Sequence, residues 1–321
     1  MPASASPAPR MSVLIPVRNG AGYVDEALAS ICGQSLRDIE IVVVDDRSTD
    51  ATPALLERRA AGDGRIRVLA ATGAGIVDAL NQALAAASAD IVARMDADDV
   101  AEPERLARQL AEMEARPDLV LLGSGAIGIG ADGRAVGAIA VETDPARLVD
   151  RLRHDNPFLH PTVVMRRRAV EAAGGYRRPF ALAEDYDLWI RMARQGVIAN
   201  LPAPLIRLRR HPNQSSRRHR AEQRAVHALA RLLAYGPPVG AEYVAESASS
   251  REAVGTYLRA LVAAAPSLAL RDRRDVEKML RWYLAATDPA RDERRAIAGL
   301  LRDGPPSLSS LLLRLRLRLS R

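Results

Sequence analysis

The chemistry-bearing residues of this 321-residue chain fall in three carboxylate clusters. The densest is Asp96-Ala97-Asp98-Asp99, directly after the run ADIVARM. Three carboxylates in four residues repel one another at close range, and a cation or a helix N-terminus relieves the repulsion. Pro103 opens a helix just beyond, whose dipole gives part of that relief. A divalent ion gives more, and Mg2+ and Mn2+ prefer hard oxygen ligands of this kind. The purely structural alternative is a solvated acidic turn. No His/Cys spacing points to zinc.

Asp45-Asp46 follows IVVV and precedes Arg47-Ser48-Thr49-Asp50. A carboxylate at a strand end can accept the N–H of a pyrimidine base, a use that suits Asp46. The alternative is helix capping, with Ser48, Thr49 or Asp50 starting a helix over Ala54–Arg59. The third cluster is Glu184-Asp185, with Asp187 two positions on, at the start of a predicted helix, where carboxylates are favoured in any case. Gly175, Tyr176 and Phe180 precede it, so it borders a candidate pocket. A carboxylate there can take the proton of an incoming hydroxyl.

The elements that must position these groups read as strands alternating with helices. Ser12–Val17 and Ile39–Val44 are apolar runs without alternation, as in strands buried on both faces. Val24, Leu28 and Ile31 share one helical face between them. Ile66–Ala70 and Asp90–Met95 are two more strands, separated by a helix over Ile76–Ala87. The helix from Pro103 buries Leu106, Leu110 and Met113. This alternation predicts a mostly parallel central sheet flanked by helices, with right-handed crossovers. The first two clusters then lie at the C-terminal ends of strands, the edge where open α/β sheets bind ligands.

After Leu119–Gly123 the Gly-rich stretch to Gly137, with a turn signal at Asp132-Gly133, predicts an antiparallel excursion. A strand at Thr162–Met165 follows, then a helix capped by Gly174-Gly175. Ala183–Gln195 is a helix closed by Gly196, and Leu205–Arg209 a final strand. From about Ser215 the chain is helical only, with Leu229, Leu232 and Leu233 on one face and Val276, Met279 and Leu280 on another. The expected division is a disordered leader over residues 1–10, an α/β domain over 11–214 and a basic α-helical C-terminal region over 215–321.

Composition narrows the function classes. Lys and Arg number 46 against 39 Asp and Glu, a formal charge of +7, and all but Lys278 of the bases are arginine. Such a surplus favours phosphate-bearing partners or an anionic membrane surface. Aromatic residues make up only 3%, too few for a nucleic-acid reader built on stacking platforms. Cys32, the only cysteine, makes no internal disulfide. The leader MPASASPAPR lacks the apolar core of a secretory signal, and no apolar run reaches the length of a spanning helix. A cytoplasmic location is expected. The Leu/Arg alternation of LSSLLLRLRLRLSR at the C-terminus has strand period in a helical context, and offers peripheral contact with an anionic membrane as one use.

In this order and spacing the clusters resemble the family 2 glycosyltransferases, inverting enzymes of the GT-A fold that use nucleotide-diphospho-sugars. The matching segments are SVLIPVRNGAGYVDEALASICGQS, IEIVVVDDRSTDAT, ALNQALAAASADIVARMDADDVAEPERLARQL and HPTVVMRRRAVEAAGGYRRPFALAEDYDLWIRMARQG, together most of residues 11–213. The resemblance implies that Pro16, Val17 and Asn19 lie against the nucleotide, with Asn81 on the same donor side. It implies that Asp46 contacts the base and Asp96 the ribose. Asp98 becomes the main metal contact, assisted by Asp99, for Mn2+ or Mg2+. Asp185 falls on the catalytic-base position, beside Glu184. His211 matches a segment sometimes near the diphosphate or acceptor, with a plain loop role as the alternative, and His160 matches without an assigned role.

Two departures bear on nucleotide preference: Arg18 replaces the usual aromatic, and Arg47 replaces a glycine that would ease a positive φ. Arg47 either reaches a phosphate or is simply exposed. The expected donor is a UDP-sugar, with dTDP and GDP as alternatives. The expected acceptor is a glycan or lipid-linked hydroxyl in cell-surface polysaccharide or glycolipid synthesis. A nucleotidyltransferase and a non-catalytic nucleotide-sugar-binding protein of the same fold are the competing readings. A dinucleotide-binding dehydrogenase is disfavoured because no GxGxxG follows the first strand.

Overall fold

In the computed structural model, β1 (Met11–Val17) is buried at every position, as a strand must be when helices cover both faces of its sheet. It pairs in parallel with β2 (Ile39–Asp45) on one side and β4 (Ile91–Arg94) on the other, and β2 pairs in parallel with β3 (Ile66–Ala70). The crossovers are α1 (Val24–Cys32), α2 (Thr52–Gly62) and α3 (Ile76–Ala86). The structure describes residues 8–212, 214, 219–235, 244, 247, 249–263 and 279.

Beyond β4 the sheet becomes mixed. β8 (Val164–Arg166) runs antiparallel to β4 and to β6 (Leu119–Ile129). β9 (Val197–Arg209) lies parallel to β6, and the two-residue β5 (Val100–Ala101) closes the edge antiparallel to β9. The order is β3-β2-β1-β4-β8-β6-β9-β5, with β7 (Ala135–Ile139) paired on β6. The α/β sheet flanked by helices is as expected, and its parallel part is the four-stranded half carrying Asp46. α4 (Arg105–Ala115) buries Leu106, Leu110 and Met113 into the same cluster as Val13 and Ile15 of β1 and Leu28 and Ile31 of α1.

The second half differs from the sequence reading in three places. β9 begins at Val197 rather than Leu205. Pro202 and Pro204 remove ladder donors there, and the pairing with β6 shifts register beside them, so no strand pattern survives in the sequence. The antiparallel excursion is present, but β6 runs on to Ile129 through the glycines. A Cβ on Gly123 would stand 2.1 Å from Asn200 Oδ1, which shows that glycine there admits a neighbouring side chain. α5 (Pro145–Leu152) was not anticipated; its signals are the Asp144 side chain accepting the Arg147 N–H and the buried pair Leu148 and Leu152.

α6 (Arg167–Ala172) ends as expected at Gly174 and Gly175, with φ of 82° and 66°. α7 (Glu184–Met192), α8 (Arg220–Tyr235) and α9 (Ser250–Ala263) complete the described helices. Leu229 and Leu232 lie on the buried face of α8, and Met279 is buried. The first seven residues of the leader, Val276, Leu280 and the Leu/Arg tail lie outside the described residues. No helix among the described residues is long and apolar enough to cross a membrane.

The chain divides into two compact units: Met1–Tyr176 with Leu188–Gln214, and Arg177–Asp187 with Ser215–Arg321. A boundary at 215 leaves the Arg177–Asp187 segment with the sheet, whereas the structure groups it with the C-terminal helices.

Candidate active site

The parallel register sets Val17 of β1 beside Asp45 of β2, so the loops leaving the two strands meet. They are laced together. Asn19, at φ 51°, donates its N–H to Ser48 Oγ at 2.8 Å and accepts the Thr49 N–H on Oδ1 at 2.8 Å. Gly20 N–H donates to Thr52 Oγ1 at 2.9 Å, and Ala21 N–H to Asp50 Oδ2 at 3.2 Å. Ser48 and Thr49 therefore hold the neighbouring loop and do not cap α2, whose N-cap is Ala51. Arg47 takes φ 58°, a left-handed backbone that costs a residue with a Cβ roughly 1–2 kcal/mol.

Pro16 and Val17 are buried at the end of β1, and Val17 O accepts the Asp46 N–H at 2.8 Å. Asp46 is 6% exposed. Its Oδ2 accepts the Gly75 N–H at 3.0 Å, while its buried Oδ1 has no hydrogen-bond partner. Arg18 Nη1 stands 3.8 Å from Oδ2, its side chain mostly in solvent. A buried acceptor oxygen without a donor is costly unless a ligand supplies one.

At the same strand edge, the turn from β4 to β5 brings one oxygen each of Asp96, Asp98 and Asp99 within 4.8 Å of one another. Asp96 is paired with the buried Arg94 at 2.6 Å. Asp98 Oδ2 lies 2.9 Å from His211 Nε2. Asp99, 2% exposed, accepts the Arg209 N–H at 2.8 Å. Burial, then the charge of Asp96, raises the Asp98 carboxyl above its ordinary range. The same causes, with Asp98 added, raise Asp99 well above it. The donor set is hard oxygens with one imidazole beside them, and its mutual repulsion is what a divalent cation offsets. These residues fit such an ion.

Asn81 and His160 both meet Tyr176. Asn81, on α3, gives Nδ2 to the Tyr176 carbonyl at 2.8 Å and accepts the Tyr176 N–H on Oδ1 at 2.9 Å. Both ends of its amide are thus engaged by the backbone of one residue far along the chain. His160 Nε2 lies 3.2 Å from the Tyr176 hydroxyl, with the Trp189 ring 5.7 Å away edge-on. Burial, then the Arg94 charge, holds its pKa well below the usual imidazole value. The half-buried ring sits between Tyr176 and Trp189.

The third cluster belongs to the second unit. Asp187 is buried against Arg177, whose Nε donates to Oδ2 at 3.0 Å. Glu184 is also buried, and Asp185 is the most exposed of the three. Asp185 Oδ1 accepts the Tyr186 N–H at 2.7 Å. Leu182, just before, takes φ 76°, and the Tyr186 ring stacks on His227 of α8 at 4.9 Å. Two participants were missed from sequence: Arg94, an inward strand residue, and Arg209. Neither has a local pattern that marks it.

Fold and site define a class: an α/β protein with carboxylates on the C-terminal edge of parallel strands, where open sheets bind nucleotides. The sequence profile of Glycosyl transferase family 2 matches residues 12–174. The chain belongs to that family, and is a glycosyltransferase. An uncharacterized glycosyltransferase of Haemophilus influenzae is 30% identical over 67% of this chain and 70% of its own length. The amylovoran biosynthesis glycosyltransferase AmsE of Erwinia amylovora is 33% identical over 58% of this chain and 70% of its own. Among solved structures, S. aureus TarS 1-349 in complex with UDP-GlcNAc superposes with a TM-score of 0.58 at 18% identity, over 95% of this chain and 87% of that one. The mannosyltransferase PcManGT of Pyrobaculum calidifontis, in complex with GDP-Man and Mn2+, gives 0.52 at 22% identity, over 94% and 88%. At these identities the structural likenesses establish the GT-A fold.

Proposed function

We propose that this glycosyltransferase moves a sugar from a UDP-sugar to an acceptor hydroxyl with inversion, in the synthesis of a surface polysaccharide, using a divalent cation. The observation that carries the reading is the convergence of the Asp96, Asp98 and Asp99 oxygens within 4.8 Å at the strand edge. A relative named for amylovoran biosynthesis and neighbours solved with UDP-GlcNAc and with GDP-Man and Mn2+ support it.

In this reading the loops of Pro16–Asn19 and Arg47–Asp50, laced together, present a fixed edge to the nucleotide. Asp46 Oδ1 accepts the imide N–H of the base, the donor it lacks in the free protein. Asp96 faces the ribose, and Asp98 and Asp99 hold Mn2+ or Mg2+. A cation held there would supply Lewis-acid stabilisation to the departing diphosphate, a contribution of several kcal/mol. Arg47 adds a guanidinium to the same anion in this reading. Asn81, through Tyr176, fixes α3 behind the donor side. His160 supports the core.

Asp185 takes the proton from the acceptor oxygen as that oxygen forms its bond to the anomeric carbon. The bond to the diphosphate oxygen breaks, and its electron pair leaves with the nucleotide. One displacement needs no enzyme nucleophile, so Cys32 has no part. General-base help is worth ~10²–10⁴-fold. Asp185→Asn is therefore expected to bind UDP as the wild type does and to lose turnover by about that factor. Calorimetry and an initial-rate assay check the two halves, and near-normal turnover rejects the assignment.

A further inference from the structure

Arg209 ends β9 with its side chain almost fully buried, 2% exposed. Nε donates to the main-chain carbonyl of Asp98 at 2.8 Å. Nη1 reaches the carbonyls of Gly130 at 3.3 Å and Ala131 at 3.2 Å, at the tip of the β6–β7 hairpin. Nη2 meets the Glu26 carboxylate of α1 at 2.6 Å. The guanidinium lies 4.8 Å from the centre of the Tyr23 ring, and the backbone N–H serves Asp99. Two residues on, His211 packs against the same Tyr23 ring at 5.0 Å and reaches Asp98.

Burying a guanidinium is expensive unless its donors are met, and strand pairing does not need a charge here. What the buried fork does is hold the Asp98 main-chain carbonyl through Nε, while the Asp98 carboxylate is left to His211. We propose that Arg209 is the positioning residue of the acidic turn: it sets the spacing of the oxygens offered to the cation and ties them to α1 and the hairpin tip. This rests on the cation reading above. Lysine keeps the charge but, as a point donor, cannot span these partners.

The test is UDP affinity by calorimetry, with Mn2+ and with EDTA, the ratio being the metal increment. Arg209→Lys is expected to leave the EDTA affinity unchanged and to cut the increment by about tenfold or more, as loss of an outer partner does at metal sites. A purely structural role lowers thermal stability and leaves the increment intact, and that result overturns the proposal. Should Arg209→Lys not fold, Glu26→Gln carries the test, since it removes the one carboxylate partner at an accessible position. A reduced increment supports the proposal, and a full one overturns it. A wild-type protein with no increment sinks the cation reading and this inference together, whereas a wild-type increment that survives the substitutions sinks this inference alone.

Discussion

Asp46 is divided between two jobs. Oδ2 holds the Gly75 N–H at the start of α3, and Oδ1 is buried without a donor. An unmet polar group of this kind costs about 1–3 kcal/mol, and under the proposed base contact binding would remove that cost. Asp46→Asn keeps the shape, leaves a carbonyl for Gly75 and puts donors where the acceptor was. Its UDP affinity is expected to fall by about tenfold or more, since hydrogen bonds to charged groups are worth ~1.5–3 kcal/mol. The midpoint of thermal unfolding without nucleotide is expected to stay level or rise. Unchanged affinity rejects the base contact. The type and strand-end position of Asp46 were legible in the sequence, but its partner was not, because Gly75 is 29 residues away. The same holds for Asn81 with Tyr176, 95 residues apart, and for Asp98 with His211, 113 apart. Residue type and neighbouring elements show what a group can do; only tertiary closure shows which of its atoms are already spent.

At the level of elements, the parallel half was legible because β1, β2 and β4 are continuous apolar runs and their helices carry one apolar stripe each. The mixed half was not, because its strands are held by close backbone approach rather than by pattern. Gly123 is the clearest case. A Cβ there meets Asn200 Oδ1 at 2.1 Å and the Phe158 ring at 2.9 Å. Asn200 cannot easily retreat, since its Nδ2 is tied to the Glu142 carbonyl at 3.0 Å and the Pro157 carbonyl at 3.3 Å. Gly123→Ala is expected to cost about 1–3 kcal/mol, as overpacking of a filled core does. Gly62→Ala is the control, because nothing lies within 4 Å of its Cβ position. Thermal unfolding of the two proteins checks it, and equal midpoints show that β6 and β9 can separate to make room.

For the whole molecule the tension is between a chain of formal charge +7 and an acidic turn at the edge proposed for the donor. A net positive surface draws in a diphosphate, yet the Asp96–Asp99 turn repels it at contact. Two arrangements resolve this. Either a divalent cation held by Asp98 and Asp99 would offset the charge of the turn, or the Arg94 guanidinium paired with Asp96 and the His211 ring against Asp98 make the turn acceptable to a diphosphate unaided. The first makes UDP binding depend on the ion and uridine binding indifferent to it, because uridine keeps the base of the proposed Asp46 contact and lacks the phosphates. Stabilisation by a ligand grows with its concentration over Kd, about 2.7 kcal/mol at a hundredfold excess, so thermal shift reads both ligands in one series. UDP with Mn2+ is expected to raise the unfolding midpoint well beyond UDP with EDTA, while uridine gives the same shift in either. Transfer is expected to vanish in EDTA and return with added Mn2+. If instead UDP stabilises equally with and without the ion, the Arg94 and His211 contacts to Asp96 and Asp98 suffice, and the cation reading fails.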